Sequence, residues 1–206
     1  MKLSSLIIGA LLTLSTSAFA QNVVIRGVRL VGTGCDSASS SASITPNGQV
    51  LSLLFDNYSI EIGQGSANPQ STSLYKNCHV LIDVDVPAGV QYALKQTDYR
   101  GFAALPASAT AMHRFTQVLP NAPVASMREA IVNGPTSGDY AVSVIQKPGR
   151  LVYSSCNQKS QTIELISELS VSYLRGTTDR TMAMINLDSV DTGVETTFKL
   201  DWRPCQ

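Results

Sequence analysis

The sequence predicts an all-β protein, a single-domain antiparallel β-sandwich held by two disulfides. Three observations carry that expectation. Apolar residues recur with a period of two along most of the chain, as half-buried strands require. Asn-Gly, Pro and Gly signals separate short apolar runs at regular spacing. Four cysteines follow an export signal, which places them in an oxidising compartment.

The export signal comes first in the chain. In "MKLSSLIIGALLTLSTSAFA", Lys2 supplies the positive start, Leu6 to Leu14 the short apolar run, and Ala18-Phe19-Ala20 the small-x-small cleavage pattern. Residues 1–20 are thus read as a signal peptide and residues 21–206 as one secreted β-sandwich domain. No cysteine follows the apolar run to take a lipid anchor. No later apolar stretch approaches the ~20 residues of a membrane-spanning helix, so no transmembrane segment is expected.

Strands are expected near 23–31, then in "SITPNGQVLSLLF", where Asn47-Gly48 supplies the positive φ angles of a tight hairpin. Another follows near 58–62. In "HVLIDVDVP", Val80, Ile82, Val84 and Val86 point one way; His79, Asp83 and Asp85 point the other, with Leu81. Further strands are read near 90–99, 111–119, 139–146 and 181–188. "TIELISELSVSYL" admits a helix through Leu165, Ile166 and Leu169. Its alternation of Ile163, Leu165, Leu169, Val171 and Tyr173 with polar residues, and its β-forming composition, favour a strand. In "VETTFKLDWR", Val194, Thr196, Phe198, Leu200 and Trp202 share one face, which puts the single tryptophan in the core. "GCDSASSSAS", "GQGSANPQSTS", "LPNAPVAS" and "NGPTSG" read as loops and turns.

Composition narrows the function classes. The full chain holds 15 basic and 15 acidic residues with no Lys/Arg cluster, so no footprint for nucleic acid or an anionic membrane is present. Cys35, Cys78, Cys156 and Cys205 allow three disulfide connectivities, which spacing does not decide; Cys35–Cys78 with Cys156–Cys205 is favoured, one staple for each half. No cysteine pair has the close spacing of a zinc site, and no cofactor motif appears.

Chemistry-bearing residues are few. Asp83 and Asp85, two apart on one strand face, are a candidate carboxylate pair or cation site, weighed against a plain solvated face that discourages edge pairing. There is no G-x-S-x-G elbow, and the histidines are His79 and His113 alone. Tyr58, Tyr75 and Tyr99 lie in or beside expected loops, where their rings would serve a sugar or peptide. Tyr140, just after a turn, is read as a corner tyrosine bonding back to the preceding backbone.

"DYRGF" is the hardest stretch to read. Val90, Tyr92 and Leu94 alternate inward, and an unbroken strand would carry Asp98 and Arg100 to the same face, where each charge needs a partner. A bulge near Thr97, with Gly101 releasing the backbone, would instead aim them at the sheet end. Asp98, Tyr99, Arg100 and Asp139 therefore form a candidate structural clamp or binding site. The clamp is favoured, with Arg100 tied to Asp98, Asp139 or Asp56.

Several of these stretches, taken in order, also carry a resemblance. "GTGC" at Gly32–Cys35, "LLFDNY" at Leu53–Tyr58, "KNC" at Lys76–Cys78, "DYRGF" at Asp98–Phe102, "GPTSGDY" at Gly134–Tyr140 and "WRPC" at Trp202–Cys205 resemble the secreted family known as domain of unknown function 4360. The family has a basic residue where Tyr75 stands and a tryptophan where Tyr153 stands, so no aromatic role is carried to either position. The resemblance implies secretion, two disulfides and a β-rich domain, and it implies no activity.

The functional expectation is a non-enzymatic extracellular or periplasmic domain that binds a protein or a glycan. A hydrolase of cell-wall or extracellular polymer, using Asp83 with Asp85 or Asp98 with Arg100, is the enzyme alternative. A structural envelope or matrix component is the third.

Overall fold

The computed structural model describes residues 24–35, 40–45, 49–55, 57–118, 126–156, 159–187 and 196–205. These hold strands β1 (Val24–Gly32), β2 (Ser40–Ile44), β3 (Val50–Phe55), β4 (Ser59–Ile62), β5 (Ser73–Asp85) and β6 (Val90–Leu105). There follow β7 (Ala109–Val118), β8 (Ser126–Asn133), β9 (Thr136–Ile145), β10 (Ser160–Tyr173), β11 (Ala183–Asn186) and β12 (Thr196–Pro204), with no helix among the described residues. One sheet has five strands in the order β1-β5-β10-β7-β8; the other has seven, β2-β3-β12-β6-β11-β4 with β9 also on β6. Every strand pairing is antiparallel, and the two inner faces enclose one core. The chain is an all-β sandwich, as its alternation requires.

The ambiguous segment is a strand. β10 runs through the middle of the five-stranded sheet with β5 and β7 on either side, and Ile163, Leu165, Leu169 and Val171 enter the core. Val80, Ile82 and Val84 of β5 and Val86 just after it are buried beside them, while His79, Asp83 and Asp85 face outward. β2 and β3 pair as the expected hairpin, from Ser40↔Phe55 to Ile44↔Leu51; its Asn47-Gly48 turn lies outside the described residues. Trp202 is only half-buried, packed against the core and tilted on Tyr92 with ring centroids 5.4 Å apart.

A two-stranded ribbon joins the sheets. β6 and β9 pair in the seven-stranded sheet, and their continuations β7 and β8 pair in the other. At the corner Gly134 N–H donates to the Ala109 carbonyl at 3.0 Å, and a Cβ on Gly134 would lie 1.8 Å from the Pro106 carbonyl oxygen. Glycine alone permits that approach. β8 itself went unforeseen: "SMREAIVN" mixes helix-forming Met, Glu, Arg and Ala with no run of β-formers.

Both disulfides are present, Cys35–Cys78 with Cα atoms 5.5 Å apart and Cys156–Cys205 at 5.7 Å. The first ties the loop after β1 to β5, and the second ties the segment after β9 to the end of β12.

Candidate functional site

In "DYRGF" the residue parity changes within β6. Lys199 pairs with Gln96 but Leu200 pairs with Leu94, so Lys95 is an extra residue, a bulge. Before it Tyr92 and Leu94 are buried; after it Thr97, Tyr99 and Gly101 take the inner face. Asp98 and Arg100 are consequently turned outward. Tyr99 is 2 % exposed and sits among His113, Phe115 and Phe198.

The expected clamp through Arg100 is corrected by this register. Arg100 is exposed and makes no hydrogen bond or ion pair among the described residues, and Asp139 is likewise exposed and unpaired; Asp56 lies outside the described residues. Asp98 finds other partners. It accepts hydrogen bonds from Gln96 Nε2 at 2.8 Å and from Ser143 Oγ, with Lys199 Nζ 3.9 Å away. Burial works against its charge, but these donors and the Lys199 ammonium hold its carboxyl below the usual range.

Gly101 explains the remainder of the motif. It pairs directly with Tyr140, whose ring lies where a side chain on Gly101 would be: a Cβ there would come 2.7 Å from the ring and 2.1 Å from the Asn186 carbonyl oxygen. Tyr140 Oη donates to that same carbonyl at 2.9 Å. This corner tyrosine thus bonds to β11, not to the backbone preceding it as expected. The pattern repeats twice. Tyr58 lies over Gly34, where a Cβ would stand 2.2 Å from its ring, and donates across the core to the Ser167 carbonyl at 2.8 Å. Tyr173 lies on Gly63 and donates to the Thr181 carbonyl at 2.7 Å. Three phenols thus cross bare glycine backbone to reach a carbonyl on another segment of the chain.

These placements leave few groups for surface chemistry. Tyr58 and Tyr99, read from sequence as loop residues, are core; of the three suggested tyrosines only Tyr75 is exposed, at 49 %. His113 is buried, its Nε2 3.0 Å from Ser167 Oγ, and burial lowers its pKa to about 4, which keeps it neutral. Asp83 is engaged by Arg29 at 3.3 Å and by Thr162 Oγ1 at 2.6 Å. Asp85 accepts from Arg26 Nε at 2.6 Å, and that bond keeps its carboxyl below the usual range. Among the described residues no three His, Cys, Asp or Glu side chains converge as a metal would require.

What the fold does assemble is a patterned outer face on the five-stranded sheet. Strand register places Tyr75, Ser170, Met112 and Ile131 in one row across β5, β10, β7 and β8. The next row, about 7 Å on, is Asn77, Glu168, Arg114 and Glu129. A third row is Val31, His79, Ile166, Thr116 and Met127. The middle row is a network: Tyr75 Oη donates to Glu168, and Arg114 donates to Glu129 at 2.6 Å and lies 3.7 Å from Glu168. Partial desolvation and the bond to Glu168 push the Tyr75 phenol up to about 12. The flanking rows expose apolar surface, with Val31 at 59 %, Met127 at 51 % and Ile131 at 64 %. Single-strand alternation foretold His79, Asp83 and Asp85 on this face, but not the rows, because cross-strand register is invisible in one strand.

Comparison with known proteins identifies the chain at family level. The family model described as "Domain of unknown function (DUF4360)" matches residues 21–205. The chain belongs to that family. A DUF4360 chain of this kind is similar to an uncharacterized secreted protein of Arthroderma benhamiae strain ATCC MYA-4681 / CBS 112371, 26 % identical over 183 residues, covering 89 % of this chain and 72 % of the relative. That relative is described as secreted, and the two disulfides of this chain fit an extracellular location. Among solved structures, the carbohydrate-binding module TmCBM61 in complex with β-1,4-galactotriose aligns with 86 % of this chain and 90 % of its own, at 10 % identity and a TM-score of 0.30. The structure of infectious bursal disease virus Gx strain aligns with 98 % of this chain and 54 % of its own, at 12 % identity and a TM-score of 0.27. Likeness at that level carries no argument about what this DUF4360 member does.

Proposed function

We propose that this protein is a non-enzymatic extracellular binding domain that engages a protein partner through the outer face of its five-stranded sheet. The observation that carries the reading is the row pattern. Tyr75, Met112, Ile131, Val31 and Met127 flank the network of Glu168, Arg114 and Glu129 on one sheet face. Tyr, Met and Arg are the side chains protein interfaces favour, whereas a flat glycan site wants several stacking rings and this face exposes one. The hydrolase alternative gains no support from Asp83 and Asp85, each committed to its own arginine.

The test is binding of the secreted form to arrays of extracellular proteins and of glycans, with wild type beside the double variant Met127→Asp/Ile131→Asp. Both positions are exposed, so the variant keeps its melting temperature. The proposal expects protein ligands that the variant loses. Binding confined to glycans, or protein binding untouched by the variant, would overturn it.

A further inference from the structure

β9 is an edge strand of unusual openness. It pairs with β6 through ten consecutive residues without a bulge, from Thr136 to Ile145, and no described strand lies on its other side. The other edges among the described strands are shorter or guarded: β1 has a register break at Arg26, β2 has five residues, β4 has four, and β8 sets Arg128 and Glu129 side by side. β9 contains no proline or lysine, and its one charge is Asp139. Ile145 is 60 % exposed, and Tyr140 and Val142 pack on the core but stay only half-buried.

Beside this edge stand two charges of opposite sign, each without a side-chain partner among the described residues. Arg100 lies opposite Ala141 and Asp139 lies opposite Phe102, all on the outer face. A like-with-like antiparallel pairing keeps every residue on its own face when its two-fold axis passes through a residue position. With the axis at Tyr140, Asp139 of each copy falls opposite Ala141 of the other, Gly138 opposite Val142, and Ser137 opposite Ser143. The row then reads Arg100, Ala141, the second copy's Asp139, the second copy's Phe102. Strands sit about 4.8 Å apart, so the guanidinium has to span roughly 10 Å of backbone separation over a single methyl group. An arginine and an aspartate together reach that far. Symmetry makes the contact twice. An axis at Asp139 would oppose two carboxylates, and one at Ala141 would set the second copy's Asp139 in the row of Asp98. Gly138 has open space where a Cβ would stand, which leaves room for the incoming Val142.

We propose that a second copy of this chain adds its β9 antiparallel to the β9 edge, centred on Tyr140, so that Arg100 and Asp139 form two inter-chain ion pairs. The partner is identified by register and charge: the strand's own sequence places each unpaired charge beside its opposite. The surface lies on the seven-stranded sheet, away from the face proposed for the protein ligand, and stands independently of it.

The test is the mass of the secreted chain in solution by light scattering across a dilution series. Wild type is expected to dimerise. Arg100→Asp and Asp139→Arg are each expected to weaken dimerisation about tenfold or more with melting temperature unchanged, and the double variant to restore it. Register is read independently by oxidative cross-linking. Asp139→Cys mixed with Ala141→Cys gives a covalent dimer, while neither variant alone does, because like positions lie too far apart for a disulfide. A wild type that stays monomeric, a dimer indifferent to the charge variants, or cross-linking of Ala141→Cys with itself would each overturn the proposal.

Discussion

Acidification should destabilise this protein through one residue, His113. The ring is enclosed by the core: Tyr99 meets it edge-on at 5.2 Å, Tyr140 lies at 6.1 Å, and its Nε2 meets Ser167 Oγ. Burial lowers its pKa from 6.5 to about 4. As pH falls, the unfolded chain takes up the proton near 6.5 while the folded chain resists until about 4. Below 6.5 the unfolded state therefore binds more protons, and stability present at neutral pH is lost progressively through that window. Linkage puts the loss at about 2 kcal/mol between pH 7 and pH 5, and about 3 kcal/mol once the folded state also titrates. The assay is urea unfolding at pH 7, 6 and 5 for wild type and His113→Gln. Wild type should lose the about 2 kcal/mol, whereas His113→Gln, less stable throughout, should lose far less. Equal pH dependence in wild type and His113→Gln would refute the argument. The lowered carboxyls do not confuse it: Asp179, drawn down to about 2 by the Ser108 hydroxyl and the Thr181 groups, titrates below this window.

Two other outcomes follow from the packing. Tyr58→Phe removes the cross-sheet bond to the Ser167 carbonyl and should cost about 1 kcal/mol, read as a lower urea midpoint with an unchanged slope. Replacing Cys156 and Cys205 together with serine opens a loop of sequence separation 49 and should cost about 4 kcal/mol on the chain-entropy account, measured in the same way.

Most of the fold was legible in the sequence where a single strand carries its own pattern. β5, β10 and β12 show their buried faces by alternation, and the disulfide staples agree with a division into halves. Legibility failed where a residue's place depends on another strand. Tyr58 reads as a residue in or beside a loop, and only the bare backbone of Gly34 shows why it folds inward. "DYRGF" reads either as an inward charge pair or as one re-aimed by a bulge near Thr97, and only the pairing with β12, which makes Lys95 the extra residue, decides between them. The rows of the five-stranded face exist only through the register of β5, β10, β7 and β8, and β8 lacked a strand signature altogether.

The central claim is that Gly101 and Tyr140 are architecture while Arg100, between Tyr99 and Gly101, is surface. The most direct measurement is the melting temperature of Gly101→Ala and Arg100→Ala beside wild type. A methyl group 2.1 Å from the Asn186 carbonyl must displace that strand or the Tyr140 ring, at about 2 kcal/mol, or roughly 4–8 °C. Arg100→Ala should stay within about 2 °C of wild type, as an exposed side chain without a partner does. A large drop for Arg100→Ala with little change for Gly101→Ala would contradict the account.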